Sequence, residues 1–334
     1  MSMTISIIIP LYNCRRFIHK CVKSCLNQGF SPSEFEVIVV NDCSTDGCEN
    51  VVRKLAMRHT QIRLINHSEN KGIDFARMTG FRASSGKYVA FIDNDDWYHK
   101  GILSKMVRLA EKKGYDIVDC FSRKVKTFCG VPFAWKRIND KVRGEICQPR
   151  LFDDYFISFF GKSLLSICVW PKIYRRELIE KSDYSPIGTY GEDLWFNLCV
   201  FPNIKKMFIL DEIGHNYRFG GVSSRFRKRT YDDFKKLFFL RWPLLDKYHY
   251  EKARYFLCGE LKNEFYSYIC SWIKSKTDDE MTIKEFIRKE IAEPYWADVL
   301  RHDFVERFSK KEFCEAILCG NEDSLYEISS HCSI

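Results

Sequence analysis

The chain has 334 residues, 46% of them apolar, with a net charge of +9 and fifteen cysteines. That apolar content supports a large buried core and excludes a disordered protein, and cysteines scattered without a Cys-x-x-Cys pair argue against both a disulfide framework and a zinc site. No apolar run approaches the ~18 residues of a membrane span, and the first, Ile5 to Leu11, has no basic leader, so a soluble cytoplasmic protein with reduced thiols is expected. The positive balance suits an anionic partner, whether nucleotide-bearing ligand, nucleic acid or acidic membrane, without choosing among them.

Thr4 to Pro10 is β-branched and almost wholly apolar, as a strand covered on both faces should be. A helix is expected over Arg15 to Leu26, a strand over Phe35 to Val40, and a helix near Cys48 to Arg58 after the turn Asn41 to Gly47. A short strand at Ile62 to Ile65, a helix over Gly72 to Ala83 and a strand at Tyr88 to Ile92 complete four strand and helix alternations. This pattern predicts an α/β fold with a mainly parallel sheet.

The fourth strand ends in Asp93-Asn94-Asp95-Asp96. Open parallel sheets bind ligands outside the carboxyl ends of their strands, and clustered carboxylates repel one another unless a cation or a polyhydroxylated ligand compensates them. Mg²⁺ or Mn²⁺ bridged to substrate phosphates suits such a corner; the alternative is a solvated acidic loop. The turn after the first strand, Pro10-Leu11-Tyr12-Asn13-Cys14, has no glycine, so the main chain cannot approach a pyrophosphate as in a dinucleotide-binding fold. Nor is there a Gly-x-x-x-x-Gly-Lys-Ser/Thr loop. A bound diphosphate would have to be met by metal and side chains.

Taken together, Pro10-Leu-Tyr12-Asn13, Asn41-Asp42-x-Ser-Thr-Asp46-Gly47, Asn70-Lys71-Gly72 with Ala76-Arg77, Gly86-Lys-Tyr88 and Asp93-Asn-Asp95-Asp96 resemble a family 2 glycosyltransferase of the GT-A fold. The resemblance continues through Trp170-Pro-Lys172-Ile-Tyr174, Tyr190-Gly-Glu192-Asp193, and Tyr217-Arg218 followed by Ser223-Ser224, and covers about residues 4 to 224. It implies an inverting transfer from a nucleoside-diphosphate sugar, usually with Mg²⁺ or Mn²⁺, to a glycan or lipid-linked acceptor of surface polysaccharide or glycolipid synthesis.

Under that resemblance Asp42 would accept a hydrogen bond from the base, uracil in a UDP-sugar, and Tyr12, two residues after Pro10, would stack on it; a turn-capping aspartate and a core tyrosine are the alternative. Asp93, with Asn94 beside it, would hold ribose or sugar hydroxyls, and Asp95 would be the direct metal ligand, whereas Asp96 would turn away and cap the following turn. Lys71 and Arg77 would neutralise phosphate or hold Asp93, unless they are simply solvated. Asp193 would be the general base, with Glu192 as alternate; both would equally suit the start of a helix over Leu194 to Val200. Trp170 would lie under a sugar or in the core. His215 would join the metal shell or touch the diphosphate, although its neighbours favour a surface histidine; Arg218 is the stronger phosphate contact.

Gly101 to Lys113 reads as a helix, Ile117 to Phe121 as a strand and Thr127 to Gly144 as a hairpin-like or loop region. Residues 1–100 would form the nucleotide-sugar half, 101–225 the acceptor half, and 226–334 a helical region with segments expected at Phe234 to Tyr248, Tyr250 to Lys276, Ile283 to Ile291 and Lys311 to Leu318. Its entrance, Val222 to Trp242, interleaves cations such as Arg227, Lys228 and Arg229 with Phe226, Phe234, Phe238, Phe239 and Trp242. Peripheral contact with an anionic membrane and packing of those aromatics within the protein are the two readings, and the tail is also a candidate homodimer contact. An inactive sugar-nucleotide-binding scaffold is the competing function. Nucleic-acid binding has no recognisable module.

Overall fold

The structure is a computed structural model and describes residues 3–128, 131–138, 142–219, 228–302 and 311–331. The chain divides into two compact units, Met1–Phe159 with Ser163–Ser223 and Phe160–Lys162 with Ser224–Ile334.

In the first unit β1 (Ile5–Leu11), β2 (Phe35–Asn41), β3 (Ile62–Asn66) and β4 (Tyr88–Phe91) lie in parallel in the order β3, β2, β1, β4. Every residue of β1, β2 and β4 is buried, which is why these strands read as continuous apolar runs. The connecting helices are α1 (Ile18–Leu26), α2 (Cys48–Ala56) and α3 (Ile73–Ala83). α3 lies directly on the sheet, and Gly80 is what allows it: a Cβ there would come within 2.5 Å of Ile8 Cγ2 and 3.3 Å of Val40 Cγ2. α1 starts three residues later than its apolar spacing suggests, because Arg15 donates its N–H to Asp46 Oδ2 at 2.7 Å and Asn13 Oδ1 accepts the Thr45 N–H at 2.8 Å. These bonds fasten the turn after β1 to the turn after β2.

The sheet continues through β9 (Lys172–Arg175), β6 (Ile117–Phe128), β10 (Lys206–Arg218) and the two-residue β5 (Trp97–Tyr98). β6 and β10 are parallel; β9 is antiparallel to β4 and β6, and β5 to β10. β7 (Val131–Ile138) pairs with β6 and β8 (Gly144–Cys147) with β10. β6 therefore runs well past Phe121, because it has partners along its length. The hairpin-like region resolves into β7 and the start of β8, with residues 129–130 and 139–141 outside the described residues. α4 (Ile102–Lys113), the short α5 (Arg176–Glu180) and α6 (Glu192–Val200) complete the unit. This is an α/β sheet with a parallel half and a mixed half.

The second unit is helical: α7 (Thr230–Lys247), α8 (Arg254–Ser275), α9 (Glu280–Ile291), α10 (Tyr295–His302), α11 (Lys311–Leu318) and α12 (Glu322–Ser330). Its core gathers on Phe265, whose ring centroid lies 5.2 Å from those of Tyr231 and Trp296 and 5.9 Å from that of Phe313. In the basic entrance Lys228 pairs with Asp278 at 2.6 Å and Lys235 with buried Glu290 at 2.7 Å, and Phe238 is buried. These residues are engaged within the unit; Val222, Ser223-Ser224, Phe226 and Arg227 lie outside the described residues. No helix among the described residues is long and apolar enough to cross a membrane, and the described cysteines are free thiols, most of them buried.

Candidate active site

Arg77, on the second turn of α3, is the centre of the site. Its guanidinium is buried and contacts three carboxylates from two distant parts of the chain: Asp93 Oδ1 at 2.9 Å after β4, and Glu192 Oε1 at 3.3 Å and Asp193 Oδ1 at the first turn of α6. Burial alone would lower its pKa; the charges of Asp193, Asp93 and Glu192 overcome that and hold it well above its usual range. Asp193 is fixed at its second oxygen too, where Oδ2 accepts the Val169 N–H at 3.2 Å. Burial and the Asp193 charge, against the pull of Arg77, push the Glu192 carboxyl up to about 7.

Asp95 and Asp96 extend this acidic corner. Burial, then the charges of Asp96 and Asp93, raise the Asp95 carboxyl to about 7, with Arg218 opposing. Arg218 Nε donates to the Asp95 carbonyl at 3.0 Å, and its N–H donates to Asp96 Oδ1 at 2.7 Å. Asp96 is buried and faces inward, so it does not cap the following turn. Its Oδ2 lies 3.2 Å from His215 Nε2, while His215 Nδ1 is 3.2 Å from Ser122 Oγ. Burial and the Asp93 charge raise Asp96 well above the carboxylate range, and burial drives His215 down to about 3.

His215 corrects the expectation of a surface histidine. It is 0% exposed, because β10 is an inner strand with β6 on one side and β5 on the other. Trp170, 6% exposed, is a core residue: its indole stacks on His215 at 4.6 Å and on Tyr217 at 5.5 Å between centroids. The interior holds it, not an open sugar platform.

At the other end of the cleft Tyr12 is 47% exposed beyond Pro10, which is buried at the end of β1. Asp42 is buried with three donors around it: Lys71 N–H on Oδ1 at 2.9 Å, Gly72 N–H on Oδ2 at 2.8 Å, and His67 Nδ1 at 2.7 Å from Oδ1. Lys71 thus contributes its backbone here, and its side chain is exposed; Asn94 is half-buried in the turn between Asp93 and Asp95. The sequence reading missed Asp74, a buried residue on the first turn of α3. Its Oδ2 accepts the N–H groups of Ile187 at 2.7 Å and Gly188 at 2.8 Å, tying down the segment that leads into α6. An acidic residue just after Gly72 was the only available signal.

The donor set fits a divalent cation in one way. Among the described residues no three His, Cys, Asp or Glu side chains converge to hold an ion, so the protein offers no cage. Asp95, raised by burial and like charge, suits a hard cation that completes its shell on phosphate oxygens. The structure turns His215 toward Asp96 and Ser122 instead.

The family model for "Glycosyl transferase family 2" matches residues 6–182, more than half of the chain. The chain belongs to this family. Among curated relatives, the uncharacterized glycosyltransferase EpsJ of Bacillus subtilis is 31% identical over 65% of this chain and 62% of its own length, and the glycosyltransferase GlyA of Streptococcus pneumoniae is 28% identical over 64% of this chain and 30% of its own. The matches therefore span less than two thirds of those relatives. Among solved structures, S. aureus TarS residues 1–349 in complex with UDP-GlcNAc superposes with a TM-score of 0.69 at 21% identity, covering 98% of this chain and 90% of that one. A Pyrobaculum calidifontis mannosyltransferase in complex with GDP-Man and Mn²⁺ gives 0.53 at 16% identity, over 96% and 87%. The fold of this family 2 glycosyltransferase is GT-A with a helical C-terminal region.

Proposed function

We propose that this glycosyltransferase moves a sugar from a nucleoside-diphosphate sugar, UDP-linked by preference, to a hydroxyl of a glycan or lipid-linked acceptor in surface polysaccharide or glycolipid synthesis, with inversion at the anomeric carbon. The observation that carries the reading is the Arg77 hub, which brings the carboxylate after β4 to the two carboxylates that open α6. The TarS complex with UDP-GlcNAc and the mannosyltransferase complex with GDP-Man and Mn²⁺ support a nucleotide-sugar donor.

In this reading exposed Tyr12 stacks on the base. Asp42 acts on it through the Lys71–Gly72 loop that it holds, and Asp93, fixed by Arg77, binds sugar or ribose hydroxyls. Asp193 is the base. Arg77 and Val169 set its orientation, and Oδ2, with one N–H bound, retains a lone pair for the acceptor proton. The acceptor oxygen bonds to the anomeric carbon as the sugar–phosphate bond breaks, the diphosphate departs with the bonding electrons, and the proton passes to Asp193. Asp95 would hold Mn²⁺ or Mg²⁺, which would supply Lewis-acid stabilisation of the departing diphosphate. Arg218 lies beside that corner.

A thermal-shift panel of UDP-, GDP-, TDP- and CMP-sugars tests the donor. One nucleotide class is expected to raise the wild-type midpoint, with a larger rise in Mn²⁺, and Asp95→Ala should erase the metal-dependent part. An equal Mn²⁺ response in Asp95→Ala would place the ion elsewhere. Proton NMR of the product from an α-linked donor should show a β-anomer; retention would refute a single in-line displacement.

A further inference from the structure

Near Asp95 two cations from two elements lie over one indole, and a third stands close by. Lys20 of α1 sets its Nζ 3.2 Å from the Trp97 ring centroid on β5. Arg218, at the end of β10, holds its guanidinium 5.2 Å from the same ring and 4.0 Å from that of Phe17. Arg123 of β6 is fixed by Nε donating to Asn216 Oδ1 at 2.7 Å, and Asn216 in turn donates Nδ2 to the Trp97 carbonyl at 3.2 Å.

Surface cations are ordinarily solvated or matched by nearby carboxylates. Here the charges acting on Lys20 are those of Arg218 and Arg123, and the Arg123 Nε donates to the Asn216 amide oxygen, not to a carboxylate. The Lys20 ammonium is instead held below its ordinary pKa, first by burial and then by the charges of Arg218 and Arg123. Crowded like charges over an aromatic face are relieved by an anion with several oxygens, and a guanidinium fork beside an ammonium matches phosphate better than any neutral sugar. Arg218 joins this cluster to the acidic corner, where its N–H and Nε are committed to Asp96 and to the Asp95 carbonyl.

We propose that Lys20, over the Trp97 ring, and Arg123, linked through Asn216 to the Trp97 carbonyl, form an acceptor-side subsite for a phosphate group carried by the acceptor, distinct from the place of the donor diphosphate. The inference rests on the glycosyl-transfer reading and names the chemical class of its acceptor: a glycan or lipid-linked sugar bearing a phosphate mono- or diester.

The test uses the full chain presaturated with UDP and Mn²⁺, titrated calorimetrically with a glycerol-phosphate hexamer or with a neutral glycerol oligomer of equal length. Lys20→Gln/Arg123→Gln is the variant, since glutamine keeps a donor for Asn216; equal melting midpoints certify its fold, and Arg123→Lys, which keeps the charge, is the second variant. The wild type should bind the phosphate oligomer and not the neutral one. The double variant should lose about tenfold or more in affinity, Arg123→Lys should retain most of it, and UDP affinity should change less than about twofold. Equal oligomer binding by wild type and double variant overturns the proposal. So does a parallel loss of UDP affinity, which would make these cations part of the donor site. Phosphatidylglycerol vesicles are the third arm: vesicle binding lost in the double variant, with no oligomer binding by the wild type, assigns the cluster to a lipid surface and overturns it as well. Failure of wild type to bind UDP strikes the donor reading instead.

Discussion

Asp193→Asn should lower kcat by about 10²-fold or more while leaving the donor KM within a few-fold of wild type, because a general base acts on the reacting proton and not on the bound nucleotide. Asparagine keeps the shape that Arg77 and the Val169 N–H grip, so the loss reports chemistry more than folding. The neighbouring Glu192 supplies an internal control. The Asp193 charge is one of the causes that raise its carboxyl to about 7, second only to burial, so removing that charge lets the Glu192 pKa fall. If Glu192 carries the residual activity, the acid limb of the variant's pH profile follows the Glu192 carboxyl and lies below about 7. Near-normal turnover in Asp193→Asn, together with loss of transfer in Glu192→Gln, would exchange the roles of the two residues.

Arg77→Met is expected to be the most damaging single change to stability. It leaves Asp93, Glu192 and Asp193 facing one another in a partly buried site without their shared cation, and removing one partner of such a set costs about 3–5 kcal/mol. The thermal midpoint should fall by at least roughly 6 °C. The sign of the pH dependence follows from the same charges. Without Arg77 the Glu192 carboxyl, already raised to about 7, loses the charge that opposes its rise and moves further above its unfolded value, so the folded state binds more protons. Stability then declines as pH rises through that folded-state value, and the deficit relative to wild type should be larger at pH 8 than at pH 5.5. A deficit independent of pH, measured by calorimetry at both values, would show that Arg77 acts through packing alone. Arg77→Lys should fall between the two, since one ammonium cannot span three carboxylates from two segments.

The parallel half of the sheet was legible because β1, β2 and β4 are buried on both faces, and burial of that kind writes itself as unbroken β-branched runs. β9 and β10 were not. Their residues alternate with Lys172, Asp211, Glu212 and Asn216, polar side chains that the fold matches with specific partners: buried Lys172, for example, meets Asp119 at 3.3 Å. α10 and α12 went unread for a related reason, being eight and nine residues long with only two or three fully buried positions each. In the site, Asp93 and Asp95 stood out as the abrupt end of an apolar strand. The role of Arg77 as a hub did not, because Glu192 and Asp193 are more than a hundred residues away in sequence, and only the closure of the sheet brings them to α3. His215 misled for the opposite reason: Gly214 and Asn216 beside it look like a loop, yet the histidine is interior.

Asp74 and Arg77 are one helical turn apart on α3, and between them they moor both the Ile187–Gly188 approach and the opening turn of α6. The same rigid rod also lies flush against β1 and β2 through Gly80. The two walls of the proposed active site are thus fastened to a single helix. Evolution toward a bulkier acceptor would have to proceed by rewriting the peripheral loops, leaving the spacing of the reacting groups untouched.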